Sequence, residues 1–308
     1  MLASDPRACV CGKSEARSFV AVERQLGLGD EFEYLECASC GSLRIATIPA
    51  NLSRYYPSDY YSFRSTLPWR ERLQPLALAV GLWFPFIRLS RVHFHLPTAA
   101  QAIGFSRRDR VLDVGSGIHG MSAQLRAIGF RNAMGLDPFV AEDIKDKHGL
   151  AVKKAFLSEI TEHWDKITFN HSLEHVPDPL ADLRTANSLL APGGQIVVRI
   201  PVAAWAYAEY GPNWAQLDAP RHLFVPSERG FRALAERAGM RVTRVLYDSA
   251  DMQFWGSEAY RRNESLMKAQ ANFWQHYSRR DRNLMLRRAD ELNRKGEGDQ
   301  AAFFLAPL

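Results

Sequence analysis

The chain has 308 residues, 46% hydrophobic and 24% charged, with 39 Lys and Arg against 34 Asp and Glu for a formal net charge of +5. That length holds a full α/β domain of about 200 residues plus a smaller unit, and the composition is that of an ordinary globular chain, not a disordered or repetitive one. Arg residues scattered among Asp and Glu at so modest a net charge exclude the basic stripe of a nucleic-acid-binding protein.

The N-terminal stretch up to Cys9 has no apolar run, so it predicts no secretory signal and a cytoplasmic chain. All four cysteines fall in the first forty residues, as Cys9-Val-Cys11-Gly12 and Cys37-Ala-Ser-Cys40-Gly41. Two close pairs, each followed by glycine, read as two knuckles presenting four thiolates to one structural Zn2+. Strand-like segments at Ser18–Val22 and Glu33–Glu36 complete a zinc ribbon. The first pair is one residue shorter than the usual Cys-x-x-Cys, which strains its knuckle. Disulfides and unligated thiols are the other readings, and a chain without a secretory signal disfavours the former.

Next come Tyr55, Tyr56, Tyr60 and Tyr61 around Pro57, a pattern no amphipathic helix carries. Their hydroxyls line a substrate cleft, or their rings pack a hinge. Residues 65–108 read as a helical connector. The apolar run Leu76–Ile87 is too short to span a bilayer and reads as a packing helix. Peripheral membrane contact through Trp83, Phe84 and Phe86 is the alternative.

Arg110 to Gly120, Arg-Val-Leu-Asp-Val-Gly-Ser-Gly-Ile-His-Gly, reads as a buried strand breaking into a glycine-rich turn, with a helix from about Met121. Such a turn lets backbone approach a ligand, and the free N–H groups of the first helical turn point at it. The spacing Gly115-x-Gly117-x-x-Gly120 also fits a dinucleotide. Asp113 at the strand end suits an amine-bearing or cationic ligand, not a pyrophosphate. The second strand, Ala133–Leu136, ends at Asp137-Pro138, where a strand-end carboxylate reaches ribose hydroxyls. A third strand is marked around 151–153, before Phe156-Leu157-Ser158. A fourth, Lys166–Asn170, runs into His171-Ser-Leu-Glu174-His175-Val-Pro-Asp178-Pro.

A helix over Pro179–Leu190, a Pro192-Gly193-Gly194 turn and an apolar strand Gln195–Pro201 follow. Residues 201–226 carry Trp205, Tyr207, Tyr210, Trp214 and Asp218-Ala-Pro-Arg221-His222, and their length marks a lid. A helix capped by Ser227 runs to Ala238, and a strand spans Arg241–Tyr247. The rest is mostly helical from Asp251 until a last strand over 299–306. The basic cluster Arg279, Arg280, Arg282, Arg287 and Arg288 in that helical part reads as a solvated face, with a phosphate contact as the sharper alternative.

Leu112-Asp-Val-Gly-Ser-Gly117, with Leu136-Asp-Pro138 some twenty residues on, resembles motif I and the second acidic motif of class I S-adenosylmethionine-dependent methyltransferases. Leu173-Glu-His-Val-Pro-Asp-Pro179 resembles the segment after the fourth strand in that family. The cysteine ribbon and the tyrosine stretch resemble one bacterial group of these enzymes, often acting in sugar or surface-polysaccharide pathways. The resemblance implies an α/β fold, a doubly wound Rossmann-like seven-stranded sheet with an antiparallel last strand, plus the small ribbon. It divides the chain into a ribbon segment (1–64), a connector (65–108) and a methyltransferase domain (109–308) with a lid (201–226) and a helical insertion (251–297).

The cofactor it implies is S-adenosyl-L-methionine, held by Asp113, Gly115, Ser116, Gly117, His119, Asp137, Pro138, Leu157 and Asn170. His119 stands where the family usually has its third glycine. Methyl transfer requires alignment and often removal of a proton. His171, Glu174, His175 and His222 are the candidate bases, acting on a small polar acceptor such as a nucleotide-linked sugar or glycan precursor. The same four could instead hold a divalent metal for O-methylation, with ligands at i, i+3 and i+4 plus a distant histidine. That arrangement is similar to small-RNA ribose methyltransferases. Readings of other classes are an NAD-dependent oxidoreductase and a non-catalytic binding module with a vestigial cofactor fold.

Overall fold

The computed structural model describes residues 9–56, 74–83 and 102–308. Tyr60, Tyr61, Trp69 and most of the expected connector lie outside the described residues. The N-terminal cysteine-bearing segment forms strands β1 (Ala16–Val22), β2 (Glu31–Cys37) and β3 (Leu43–Ile45), paired antiparallel in that order. Helix α1 (Gln74–Trp83) follows.

The main sheet is built from β4 (Val111–Val114), β5 (Ala133–Leu136), β6 (Ile144–Asp146), β7 (Gly149–Lys153), β8 (Trp164–Asn170) and β9 (Leu190–Pro201). Two more strands complete it, β11 (Met240–Tyr247) and β12 (Gln300–Pro307). Its eight strands run β11-β12-β9-β8-β4-β5-β7-β6. β4, β5, β7, β8 and β9 are parallel, and β12 lies antiparallel to both β9 and β11. The sheet of seven that the sequence implies is therefore present, with one short strand more. β6 is three residues long and mostly polar, Ile-Lys-Asp, so it has no alternation to read. It is held instead by the buried Arg126, 2.5 Å from Asp146 Oδ1 and donating to the Ala133 carbonyl. The Pro192–Gly194 turn falls inside β9 as a bulge, where the pairing with β8 jumps from Trp164–Leu190 to Lys166–Gln195.

Alternation sorts the strand side chains to two faces. Leu112, Ile167, Phe169, Ile196, Val198 and Phe303 pack under α3 (Pro179–Ser188) and α5 (Glu228–Arg237). Val111, Ala133, Val197, Ala302 and Phe304 pack under α1 and α2 (Met121–Ala127). Asp178 caps α3 through Leu180 and Ala181 N–H, and Ser227 caps α5 through Gly230 N–H.

Residues 201–226, the expected lid, contain α4 (Trp205–Tyr210) and the two-residue strand β10 (Phe224–Val225). β10 pairs with β3, so the ribbon's sheet has a fourth strand supplied from 180 residues away. Ribbon and lid also share one core, in which Tyr34, Leu43 and Ile45 meet Trp214, Leu217 and Val225. The ribbon closes its core only with the lid's side chains.

Between β11 and β12 lie α6 (Met252–Arg261), α7 (Leu266–Ala271), α8 (Phe273–His276) and α9 (Arg279–Lys295). Two members of the basic cluster on α9 are spent on packing. Arg282 pairs with Asp251 at 2.7 Å, and Arg288 lies 4.5 Å over the Trp205 ring. Among the described residues no helix is long and apolar enough to cross a membrane.

Candidate active site

The carboxyl ends of β4, β5 and β8 meet on one side of the sheet, and the loops leaving them build the site. After β4 the chain turns with Gly115 and Gly117 at φ of +71° and +56°, backbone that L side chains rarely adopt. A Cβ on Gly115 would run into the Ser172 side chain, so this glycine brings the loop against the turn that follows β8. Ser172 Oγ fastens that contact by donating to the Val114 carbonyl at 2.6 Å. Gly120 is needed for a different reason, because a Cβ there would sit 2.8 Å from Asp113 Oδ2.

Asp113 is buried beneath this loop. Its carboxylate accepts from Ser122 N–H at 3.0 Å and from Thr168 Oγ1 at 2.9 Å, which anchors α2 to β8. Burial pushes its carboxyl up to about 6, against those hydrogen bonds. A folded-state value above the ordinary 3.8 means that its contribution to stability is complete below about 4 and is lost as pH rises through 6. The Asp113→Asn chain should therefore lose this dependence. Denaturant titrations should show wild type gaining roughly 2 kcal/mol relative to the variant between pH 7 and pH 4. A relative gain on raising the pH would refute the assignment.

Asp137, also buried, accepts from Gly117 N–H at 2.9 Å and Phe139 N–H at 2.8 Å. It thus ties the glycine loop to the end of β5 and keeps lone pairs for a further donor. Ser116 donates to the Gly117 carbonyl, and Pro138 is half-buried beside it. His119 is half-buried, with its Nε2 enclosed and unpartnered among the described residues. Asn170 Oδ1 accepts from Arg199, itself paired with Asp248 at 2.7 Å. Leu157 is in the main core, while its neighbour Phe156 is exposed.

The turn after β8 carries the second half of the site. His171 has φ +53° and its Nδ1 lies 3.2 Å from Glu174 Oε1. Glu174 is wholly enclosed and its Oε2 has no partner among the described residues. Burial pushes this carboxyl up, but the His171 hydrogen bond and the charges of His171, His175 and His222 outweigh it and hold the group at about 2. His175 and His222 have ring centres 4.9 Å apart. Burial, then His222, pushes the His175 imidazole down. His175 Nδ1 lies 2.9 Å from the Arg221 carbonyl, and His222 Nδ1 lies 2.8 Å from the Gln216 carbonyl. The four residues that the sequence singles out for chemistry are thus brought together, although 51 positions separate His171 from His222.

The ribbon reaches this cluster. Tyr56 Oη is 3.1 Å from His175 Nδ1, whereas Tyr55 is buried against Phe32 and donates to Asp30. One tyrosine of the pair faces the cluster and the other packs. Glu23, at the end of β1, is fully buried 3.0 Å from Arg221, which also grips Asp218 at 2.6 Å. Sequence reasoning missed Ser172, Glu23 and Asp218. Their only signal was ordinary serine and acidic residues outside the regular strands and helices, and their roles arise from contacts across the fold.

The four cysteine sulfurs lie within 4.8 Å of one another, with Cys9 3.5 Å from Cys40 and Cys11 3.6 Å from Cys37. None is in a disulfide. Tetrahedral zinc with bonds of about 2.3 Å separates its sulfurs by about 3.8 Å, so the donor set fits that ion. The short first pair is accommodated by a tight turn in which Gly12 N–H donates to the Cys9 carbonyl. The hydrogen bond between Cys9 and Cys40, followed by burial, pushes the Cys9 thiol up, and the same bond brings Cys40 down to about 4. The cluster abuts α5, where Ser227 donates to the Cys40 carbonyl.

A family described as a methyltransferase domain matches residues 88–245, just over half of the chain. A ubiquinone biosynthesis O-methyltransferase of Pseudomonas fluorescens is 30% identical over 158 residues, 44% of this chain and 66% of that protein. One of the same name from Stutzerimonas stutzeri is 35% identical over 103 residues, 30% of this chain and 43% of that protein. The chain thus spans less than two thirds of the length of these curated relatives. A SAM-dependent methyltransferase structure from Thermotoga maritima is similar with a TM-score of 0.44 at 17% identity, covering 77% of this chain and 98% of that chain.

Proposed function

The chain belongs to the methyltransferase-domain family, and on that premise we propose that it transfers a methyl group from S-adenosylmethionine to an oxygen of a small polar acceptor. The observation that carries this reading is the contact of Gly115 with Ser172, which sets the glycine loop directly against the turn bearing His171, Glu174 and His175. The donor's chemistry and the acceptor's proton would then be handled a few ångströms apart.

The residues present fit the donor. Gly115 and Gly117 leave backbone open to it, Asp137 has lone pairs for ribose hydroxyls, and the enclosed His119 Nε2 is unpartnered. Asp113 acts through the loop it anchors. Ser116, Pro138, Leu157 and Asn170 complete the proposed binding set, Asn170 oriented by Arg199 and Leu157 from within the core. S-adenosylmethionine supplies a methyl on a sulfonium, open to in-line displacement. Glu174 accepts the His171 Nδ1 proton and leaves His171 Nε2 as a lone pair toward the open side, where it can take the acceptor's proton. His171 is half-buried, its side chain 26% accessible against 10% for His222.

The O-methyltransferases among the relatives support oxygen as the methylated atom. Tyr56, His171 and the His175–His222 pair support a hydroxyl-bearing acceptor. A nucleotide-linked sugar or glycan precursor is the class we assign first, and an acceptor of ubiquinone biosynthesis the second. The four cysteines are proposed to hold a structural Zn2+, closed to substrate by its four thiolates, in a reducing cytoplasmic setting. In this reading segment 1–64 is a wall of the site, 65–108 the connector and 109–308 the catalytic domain.

S-adenosylhomocysteine should bind in calorimetry and NADH should not. His171→Asn, which keeps a donor to Glu174 but supplies no base, should lower kcat by about 10²–10⁴-fold while the donor KM moves little. No binding of S-adenosylhomocysteine would end the donor reading, and an unchanged kcat would end the role given to His171.

A further inference from the structure

We infer that Glu174, His175 and His222 form a divalent metal site beside the methyl-transfer site, with His171 outside the ligand set. The inference rests on the methyltransferase reading only for what the ion would do, not for its existence. One ligand atom from each of the three residues lies within 4.8 Å of the others, close enough to converge on one ion after small side-chain rotations.

The tautomers support it. His175 Nδ1 and His222 Nδ1 each face a main-chain carbonyl, at 2.9 and 2.8 Å, and a carbonyl can only accept. The carbonyls select the Nδ1–H tautomer, with Tyr56 Oη as a second acceptor 3.1 Å from His175 Nδ1, and that tautomer leaves the Nε2 lone pairs for a metal. Main-chain carbonyls commonly hold metal-binding histidines in this way. His222 Nε2 lies 3.9 Å from Glu174 Oε1 and 3.8 Å from Asp218 Oδ2.

The second observation is Glu174 Oε2, fully buried and without a partner among the described residues. The other oxygen, Oε1, accepts from His171, which orients the carboxylate and keeps His171 out of the coordination set. This differs from the four-ligand set that sequence spacing suggests.

Charge supplies the third. Glu23 and Asp218 share the single guanidinium of Arg221, whereas Glu174 is paired with no Lys or Arg among the described residues. With neutral imidazoles its buried charge is left uncompensated, and a divalent cation would offset it. Two imidazoles and one carboxylate suit Zn2+, Fe2+ or Mn2+ better than Ca2+ or Mg2+, which favour all-oxygen sets. Three protein ligands leave positions open for the acceptor's hydroxyl. Bound there, the hydroxyl passes its proton to His171 Nε2. An oxygen pair then forms the O–CH3 bond as the S–CH3 bond breaks, and that bonding pair stays on the sulfur.

The test is Co2+ titration of the full chain loaded with one equivalent of Zn2+, enough for the four thiolates alone, and desalted, followed by visible absorption and by metal analysis after a second desalting. Wild type and His171→Asn should each take up one equivalent beyond the metal on the cysteines. Glu174→Gln and His222→Ala should take up none. Refusal of Co2+ by the wild-type chain, or equal uptake by wild type, Glu174→Gln and His222→Ala, would overturn the site. S-adenosylhomocysteine calorimetry on the same samples reads the donor site separately. A wild-type chain that binds S-adenosylhomocysteine yet refuses Co2+ overturns the metal site alone.

Discussion

Gly115→Ala is expected to abolish useful binding of S-adenosylhomocysteine, lowering affinity by roughly 30-fold or more. Two costs combine. An L side chain at φ +71° costs roughly 1–2 kcal/mol, and a methyl forced into the occupied space beside Ser172 adds roughly 1–3 kcal/mol of overpacking. The loop can relieve the second cost only by retreating from the turn after β8, which moves the backbone that would face the donor. A second change separates the two contributions. Ser172→Gly in the same chain removes the obstructing Cβ and should recover part of the affinity, leaving the backbone cost. Gly193→Ala is the control, because φ there is +76° but no atom lies within 4 Å of the added methyl. That variant should lose stability without losing affinity. A folded Gly115→Ala chain that binds within threefold of wild type would refute the role given to this contact.

Cys40→Ser is expected to remove one equivalent of zinc and to unravel the ribbon together with the lid. Structural thiolate sites hold zinc with an apparent ~10–16 kcal/mol in small peptides, comparable with the whole stability of an ordinary domain. The effect should nevertheless be local. The main sheet has cores of its own on both faces, whereas β10, Trp214 and Leu217 depend on Tyr34 and Leu43 of the ribbon. Limited proteolysis should show new cleavage within 9–56 and 203–226 while the sheet residues stay protected. Because the lid carries His222 and the ribbon carries Tyr56, activity should fall with the metal. Retention of zinc and of protease resistance in Cys40→Ser would contradict the assignment.

Much of the main sheet could be read directly from the chain. Val111–Val114, Ala133–Leu136 and Lys166–Asn170 are apolar runs ended by turn residues, and β-strand burial imposes that pattern whatever the partner strand is. The glycine loop was legible for a similar reason, since Gly115 and Gly117 answer a local backbone demand. The four-cysteine cluster was legible because two close cysteine pairs, each followed by a turn-forming glycine, are spaced to converge. β6 was not, being too short and polar to carry periodicity, and Arg126 holds it from another element.

Sequence alone thus determined the fold class and the place of the glycine-rich turn after β4, because each depends on local pattern or residue type. Only the tertiary structure decided the arrangement of the site. It paired β10 with β3, so that ribbon and lid became one body, and buried Arg221 between Glu23 and Asp218. It also held His175 and His222 on main-chain carbonyls beside Glu174 and set His171 against Glu174 Oε1. Contacts between residues far apart in the chain depend on how elements pack, and no local pattern encodes that packing.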